Sequence, residues 1–124
     1  MSQTLAIAAG GAAGALMRFW VSNGVYALMG RGFPYGTLAV NVLGSLAMGL
    51  LYVLLLERMS VGPEWRALLL VGLLGSFTTF STFSLETLNL IGQAEYLKAG
   101  LNMVLSVVVC VAAAGAGMLL ARQL

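Results

Sequence analysis

The sequence of 124 residues contains no histidine, no aspartate, two prolines and a single cysteine, Cys110. Without histidine, most nucleophile–base pairs and His-ligated metal sites are excluded, and one cysteine cannot build a disulfide framework. Charged residues make up only 8% of the chain, against about 25% in soluble domains. These absences argue against an enzyme and against a water-soluble monomer, and the net charge of +2 is too small to suggest a nucleic-acid partner.

What the sequence has instead is four long apolar runs, in a chain that is 60% hydrophobic with a mean hydropathy of +0.99. About 20 helical residues cross the hydrocarbon core of a bilayer, and a backbone in lipid must satisfy its own hydrogen bonds. We therefore predict an all-α integral membrane protein with one domain, residues 1–124, and four transmembrane helices. The approximate bounds of these helices are 4–29, 36–56, 67–90 and 97–121.

The basic residues are divided almost evenly between the two sides of the expected bundle. With four spans, both termini and the middle loop share one side of the membrane. That side carries Arg58, Arg66 and Arg122, and the other carries Arg31, Lys98 and, if its side chain reaches outward, Arg18. Orientation in the membrane follows the excess of Lys and Arg on one side. A division as even as this one is compatible with insertion in both orientations as well as with a single orientation. A chain inserted both ways can form an antiparallel homodimer.

Polar residues recur within three of the expected helices. They are Thr37, Asn41 and Ser45 in the second helix, the Ser and Thr residues of GSFTTFSTFS at 75–84 in the third, and Asn102, Ser106 and Cys110 in the fourth. Any one hydroxyl is explained by a bond to a carbonyl one turn earlier or to a neighbouring helix. Three stripes together indicate the lining of a pathway, since polar side chains at bilayer depth usually face protein or water.

The chemistry of these stripes favours a small anion. The amide N–H groups of Asn41, the hydroxyl protons, the charge of Arg18 and the positive edges of phenylalanine rings all suit a negative ligand. A cation pathway is expected to show carboxylates or rings of carbonyls, and the one acid within the runs, Glu86, lies near the end of the third helix. Hydroxyls also accept hydrogen bonds, so a cation is disfavoured rather than excluded.

The middle of the third helix, Gly75-Ser76-Phe77, combines a glycine with residues that compete for backbone hydrogen bonds. A break there would free carbonyl oxygens at depth, and a buried cation is one way to satisfy them. A glycine that serves only close packing of helices is the alternative interpretation.

Three blocks of the sequence resemble the Fluc family of fluoride channels, also called CrcB proteins. They are GGAAGALMRFW at 10–20, GTLAVNVLGSLAMG at 36–49 and GLLGSFTTFSTFSLE at 72–86. The TTFSTFS string is the most specific of these, whereas the fourth helix matches mainly in character. The resemblance implies a dual-topology, antiparallel homodimer with two fluoride pathways, each built from both subunits. It implies a passive channel in the bacterial cytoplasmic (inner) membrane that exports fluoride and gives fluoride resistance.

The resemblance also implies roles for individual residues. The fluoride pathway would contain Phe80 and Phe83 as aromatic edges, Asn41 as the key donor, and Ser81, Thr82, Ser106 and Arg18. A third helix broken near 75–78 would place the carbonyls of Gly75 and Thr78 from both subunits around a central, structural sodium ion. Cys110 is left outside this set, and Glu86 is either a vestibule residue or a solvated helix end. The implied partners are fluoride, a second copy of the chain and the lipid bilayer.

Two other functions are compatible with four short membrane helices. A small dual-topology multidrug exporter needs a titratable carboxylate deep in the membrane to exchange protons for cationic drugs, and the first helix has none. A non-transporting membrane subunit would use the polar stripes only to join helices.

Overall fold

In a computed structural model that describes residues 2–124, the chain is helical and contains four helices long and apolar enough to cross a membrane. The bounds of the helices are α1 Gln3–Met29, α2 Tyr35–Arg58, α3 at 63–77, α4 Phe80–Gly92 and α5 Tyr96–Gln123. The third span, Pro63–Gly92, consists of α3 and α4 together. The prediction of an all-α protein with four membrane-spanning helices is confirmed.

The spans extend beyond the apolar runs that predict them. The third begins at Pro63, before Glu64 and Arg66, because proline suits the first turn of a helix and the preceding Gly62 is extended. The second continues to Arg58 through a π-helical segment, Val53–Arg58. Charged residues end an apolar run without ending a helix, so hydropathy alone sets the bounds too short.

Glycines allow two pairs of helices to pack backbone against backbone. On α1, a Cβ atom at Gly14 would overlap the carbonyl oxygen of Leu73 on α3. On α2, a Cβ atom at Gly49 would overlap the carbonyl oxygen of Ala114 on α5. The α2–α5 and α1–α3 pairs are the most extensive in the bundle. Close approach of this kind supplies the packing that drives helix association in lipid.

Basic side chains lie at both ends of the bundle. At one end Arg122 Nη2 lies 3.3 Å from Glu57 Oε2, and Arg58 donates to the carbonyl of Arg122. At the other end Lys98 Nζ donates to the carbonyl of Gly32 at 3.1 Å. Neither end is clearly the more basic, as the sequence indicates.

Candidate functional site

The third span is interrupted between α3 and α4 at Thr78 and Thr79, whose backbones are extended. Thr78 has φ −88° and ψ 157°, and Thr79 has φ −150° and ψ 122°. The helix restarts at Phe80, with the Thr79 hydroxyl accepting from the backbone N–H of Thr82 at 3.3 Å. This is an ordinary threonine N-cap, which supplies one of the acceptors that a helix start lacks.

Asn41 on α2 pairs with the extended backbone of Thr79 through both atoms of its side-chain amide. Its Nδ2 donates to Thr79 O at 2.9 Å, and its Oδ1 accepts from Thr79 N at 2.7 Å. The amide therefore replaces the backbone partners that Thr79 loses by leaving the helix. A primary amide has two N–H donors, so one N–H of Asn41 remains for a further ligand.

A groove of about 440 Å³ lies beside this pairing, between α2, α4 and α5. The residues that line it are Asn41, Gly44, Ser45, Met48, Thr78, Thr79, Phe80, Ser106, Val107, Cys110, Val111 and Ala114. The lining is mainly apolar, with amide and hydroxyl groups concentrated at the helix interruption. No ionisable carboxylate or amine occurs among these lining residues.

Three of the predicted pathway residues, Asn41, Phe80 and Ser106, come together in the groove. The ring of Phe80 is 77% exposed, and its centroid lies 5.3 Å from that of Phe83, with the planes tilted by 45°. The Oγ atom of Ser106 is buried and has no hydrogen-bond partner among the described residues. A buried hydroxyl without a partner is costly, so the Ser106 hydroxyl keeps an unsatisfied polar group next to the groove.

The other predicted pathway residues lie outside the groove lining. Ser81 and Thr82 are on the first turn of α4, where the Thr79 hydroxyl donates to Thr82 Oγ1 at 3.0 Å. Arg18 is on α1, and its Nε donates to the carbonyl of Ser76 at 3.0 Å. That carbonyl would accept from a residue of the next turn in an unbroken helix, so Arg18 compensates for part of the interruption.

The stripe on the fourth span divides into two parts. Ser106 and Cys110 face the groove, although the sequence interpretation left Cys110 outside the pathway. Asn102, one turn earlier, is only 1% exposed and donates through Nδ2 to Thr87 Oγ1 on α4 at 2.8 Å. The i, i+4 spacing places Asn102, Ser106 and Cys110 on one face of α5. Helix α4 covers that face at Asn102, whereas the groove lies against it at Ser106 and Cys110.

A second polar cluster lies at one end of the bundle. The hydroxyl of Tyr26 donates to Glu86 Oε2 at 2.7 Å and lies 3.4 Å from Thr37 Oγ1. The Arg31 guanidinium stacks 4.5 Å above the Tyr26 ring, and a cavity of about 320 Å³ next to it also contacts Lys98. Because Thr37 and Asn41 share a face of α2, the polar stripe connects this cluster to the groove.

The carbonyls of Gly75 and Thr78 lie on the α3 side of the interruption. The Thr78 N–H and hydroxyl both donate to Leu74 O, at 3.1 and 3.0 Å, and the Thr79 N–H goes to Asn41. Within residues 2–124, none of the backbone hydrogen bonds found outside the helices reaches either carbonyl. Carbonyl oxygens are hard donors of the kind that bind cations such as Na⁺ and Ca²⁺.

Thr79 is the principal site residue that sequence reasoning missed. The run contains two adjacent threonines, and only the contact with Asn41, 38 positions earlier in the chain, selects which of them leaves the helix. Its signal in the sequence is indirect. Thr79 lies three residues before Thr82, which is the spacing of an N-cap and the N–H that it binds. An N-cap at Thr79 places the restart of the helix at Phe80.

Comparison with known proteins gives a consistent result. The sequence matches the family described as "CrcB-like protein, Camphor Resistance (CrcB)" over residues 5–118. It is also similar to proteins named "Fluoride-specific ion channel FluC". The Methylococcus capsulatus protein is 60% identical over 119 residues, which cover 96% of this chain but 52% of that relative, so the chain spans about half of its length.

Two further relatives of the same name match along nearly their whole length. The Coxiella burnetii protein is 53% identical over 121 residues, covering 97% of this chain and 98% of the relative. The Geobacter sulfurreducens protein is 48% identical over 124 residues, covering 100% of both.

Proposed function

The chain belongs to the CrcB family, and on that premise we propose that it is a fluoride-specific ion channel that lets fluoride leave the cytoplasm passively. Relatives that carry this name, and four helices able to cross a membrane, support the proposal. A channel needs no covalent step, which agrees with a sequence that has no histidine and no aspartate. It is an integral membrane protein.

The observation that carries the proposal is the set of donors at the groove. Asn41 keeps one free N–H, Ser106 has an unpartnered buried Oγ, and Phe80 presents an exposed ring beside them. A pathway for fluoride must replace the hydration shell of a strongly hydrated anion with hydrogen-bond donors. Neutral donors and ring edges can do this while leaving the ion able to depart.

The remaining predicted pathway residues extend this lining. Phe83 lies against Phe80, and Ser81 and Thr82 follow the restart of α4. Arg18 is bonded to the carbonyl of Ser76 near the same interruption, where its positive charge favours an anion. In this proposal Thr79 is the scaffold to which Asn41 is fixed.

A second copy of the chain completes the pathway. The groove is open on the face where Phe80 is 77% exposed, and polar groups at bilayer depth need protein or water rather than lipid. The even division of Lys and Arg permits insertion in both orientations. These points support an antiparallel, dual-topology homodimer in which each fluoride pathway uses residues of both subunits.

At the centre of that dimer, the carbonyls of Gly75 and Thr78 from both subunits would hold a structural sodium ion. In residues 2–124, none of the backbone hydrogen bonds outside the helices reaches these carbonyls, which supports this, since a hard cation binds carbonyl oxygen. The ion would neutralise partial charges on the freed carbonyls and hold the two interruptions together. It would not be transported.

Removal of sodium is predicted to weaken the dimer. Protein purified and reconstituted with the large cation N-methyl-D-glucamine in place of sodium should dissociate or lose most of its fluoride flux, and addition of sodium should restore both. Potassium serves as the control for ionic strength. Equal dimer integrity and flux in all three cations would contradict a structural sodium ion.

Passive export follows from the acid–base chemistry of fluoride. Neutral HF crosses the bilayer and dissociates at the pH of the cytoplasm, which traps the anion inside. A negative-inside potential then drives the anion outward through an open pathway, with about 2.3 kcal/mol per charge per 100 mV. No nucleotide is needed, and the sequence has no GxxxxGK[ST] loop. The expected location is the bacterial cytoplasmic membrane, and the expected phenotype is fluoride resistance.

The proposal is tested by ion efflux from liposomes. With a low concentration of sodium present on both sides, vesicles that contain the purified protein and potassium fluoride should release fluoride when valinomycin carries potassium, and vesicles loaded with potassium chloride should retain chloride. Fluoride release no faster than from protein-free vesicles would remove the channel function. Proton-coupled export of a cationic dye would instead favour the multidrug exporter, which neither the relatives nor the uncharged groove supports.

A further inference from the structure

The helix that carries both phenylalanines has little apolar packing of its own. Helix α4 (Phe80–Gly92) contacts mainly α5 and only slightly α2, whereas the α1–α3 and α2–α5 pairs are extensive. Many residues of α4 are exposed on the other sides, among them Leu85 and Leu88 at 59% and 62%. The position of α4 within a subunit therefore depends on a small number of specific contacts.

One of those contacts is a directed chain of hydrogen bonds from α5 to Phe83. Asn102 Nδ2 donates to Thr87 Oγ1 at 2.8 Å, and the Thr87 hydroxyl donates to the carbonyl oxygen of Phe83 at 2.8 Å. Asn102 is 1% exposed and Thr87 is 7% exposed. The Thr87 hydroxyl accepts from Asn102 and therefore uses its single proton to donate to Phe83 O. Both hydrogen bonds thus run in the same direction, from α5 to α4.

The two polar residues are not explained by stability alone. A buried hydrogen-bonded pair can be replaced by apolar groups of the same shape at nearly no cost in stability. What apolar residues cannot supply is a fixed distance and direction between the helix turn that carries Phe83 and the neighbouring helix. A directed pair restricts sliding and rotation of α4 in a way that leucine or valine contacts do not.

We propose that Asn102 and Thr87 are positioning residues that hold the turn of Phe83, and with it the Phe80–Phe83 ring pair, in register with the groove on α5. The inference rests on the proposed fluoride channel, and neither residue contacts the ion. It gives Asn102 a role different from that of its stripe neighbour Ser106, which faces the groove one turn later. Asn41 fixes the start of α4 at Thr79, and the Asn102–Thr87 pair fixes it beyond Phe83.

The test compares fluoride efflux per folded channel in reconstituted wild type and five variants. Thr87→Val and Asn102→Leu each break the chain, and the double variant removes both polar groups without leaving either unpaired. Thr87→Ser keeps the hydroxyl. Ser84→Ala is the matched control, because Ser84 donates to the carbonyl of Phe80 at 2.9 Å in the same way but has no bond to another helix among those found in residues 2–124.

Each single chain-breaking variant should lower the rate per folded channel about fivefold, the effect on a barrier of about one net hydrogen bond. The double variant should be no slower than the slower single variant, because both substitutions break the same chain. Thr87→Ser and Ser84→Ala should conduct close to the wild-type rate.

If the wild type conducts fluoride, and Thr87→Val and the double variant conduct it at the same rate per folded channel, the positioning role is overturned while the channel function stands. A loss explained entirely by fewer folded channels, with the rate per channel unchanged, would overturn it as well. Should Thr87→Val fail to fold, the double variant decides the question alone. Absence of fluoride efflux in the wild type would remove the proposed function, and this role with it.

Discussion

Replacing Asn41 with leucine is expected to lower fluoride efflux about 10- to 100-fold, since a hydrogen bond to a charged ligand contributes about 1.5–3 kcal/mol and each 1.36 kcal/mol changes a rate tenfold. The substitution removes the free N–H that faces the groove. It also removes both bonds to the backbone of Thr79, at 2.9 and 2.7 Å, and so loosens the start of α4. Initial fluoride efflux from liposomes, normalised to folded protein, measures the effect.

A second substitution keeps the acceptor of Asn41 and removes its donors. Asn41→Asp has almost the same shape, but its ionised carboxylate donates to neither Thr79 O nor an anion, so it should conduct as poorly as Asn41→Leu. Ser22→Ala is the matched control, because within residues 2–124 the hydroxyl of Ser22 bonds only inside α1, to Arg18 O at 2.7 Å and weakly to Phe19 O. Wild-type efflux in either Asn41 variant would contradict the assignment of this side chain to the pathway.

Substitution of Phe80 or Phe83 by isoleucine is expected to lower fluoride efflux about fivefold in each case, because ring-edge contacts contribute about 1 kcal/mol each. Isoleucine keeps an apolar side chain of similar reach but lacks the positive ring edge. The rings lie 5.3 Å apart at a tilt of 45°, an arrangement in which their edges can point in different directions. Changing both residues together should suppress efflux further.

Phe19→Ile provides the control for loss of an aromatic ring from the helix surface. Phe19 is 61% exposed on α1 and does not line the groove. Size-exclusion chromatography of every variant shows whether the oligomer of the wild type is retained. Efflux at the wild-type rate from both Phe80→Ile and Phe83→Ile, with the oligomer intact, would mean that the rings do not contact the ion.

The four spans were predictable because membrane insertion depends on local properties of the chain. Runs of about 20 apolar residues and the need to satisfy the backbone in lipid lead directly to helices. Close packing at Gly14 and Gly49 agrees with small residues four positions earlier, Gly10 and Ser45, a spacing that is typical of closely packed membrane helices. The ends of the spans were less predictable, since Pro63 and Arg58 lie beyond the apolar runs.

The detailed geometry of the candidate site depends on contacts that are distant in sequence. That Thr79 is held in extended form follows from Asn41, 38 positions away, and Arg18 reaches Ser76 across 58 positions. Periodicity also treats Asn102 and Ser106 as equivalent, whereas the packing of α4 against α5 buries the first and leaves the second at the groove. Residue types indicated an anion pathway, but only the fold distinguishes lining residues from anchors.

The reversal potential of the reconstituted protein in a planar bilayer shows whether the pathway is passive and selective for fluoride. With tenfold more fluoride on one side and equal chloride on both, the current should reverse at about 59 mV, the value for a monovalent ion, with the fluoride-rich side positive. A tenfold chloride gradient with equal fluoride should leave the reversal at zero. Reversal that follows the chloride or proton gradient, or no current in fluoride, would contradict the claim.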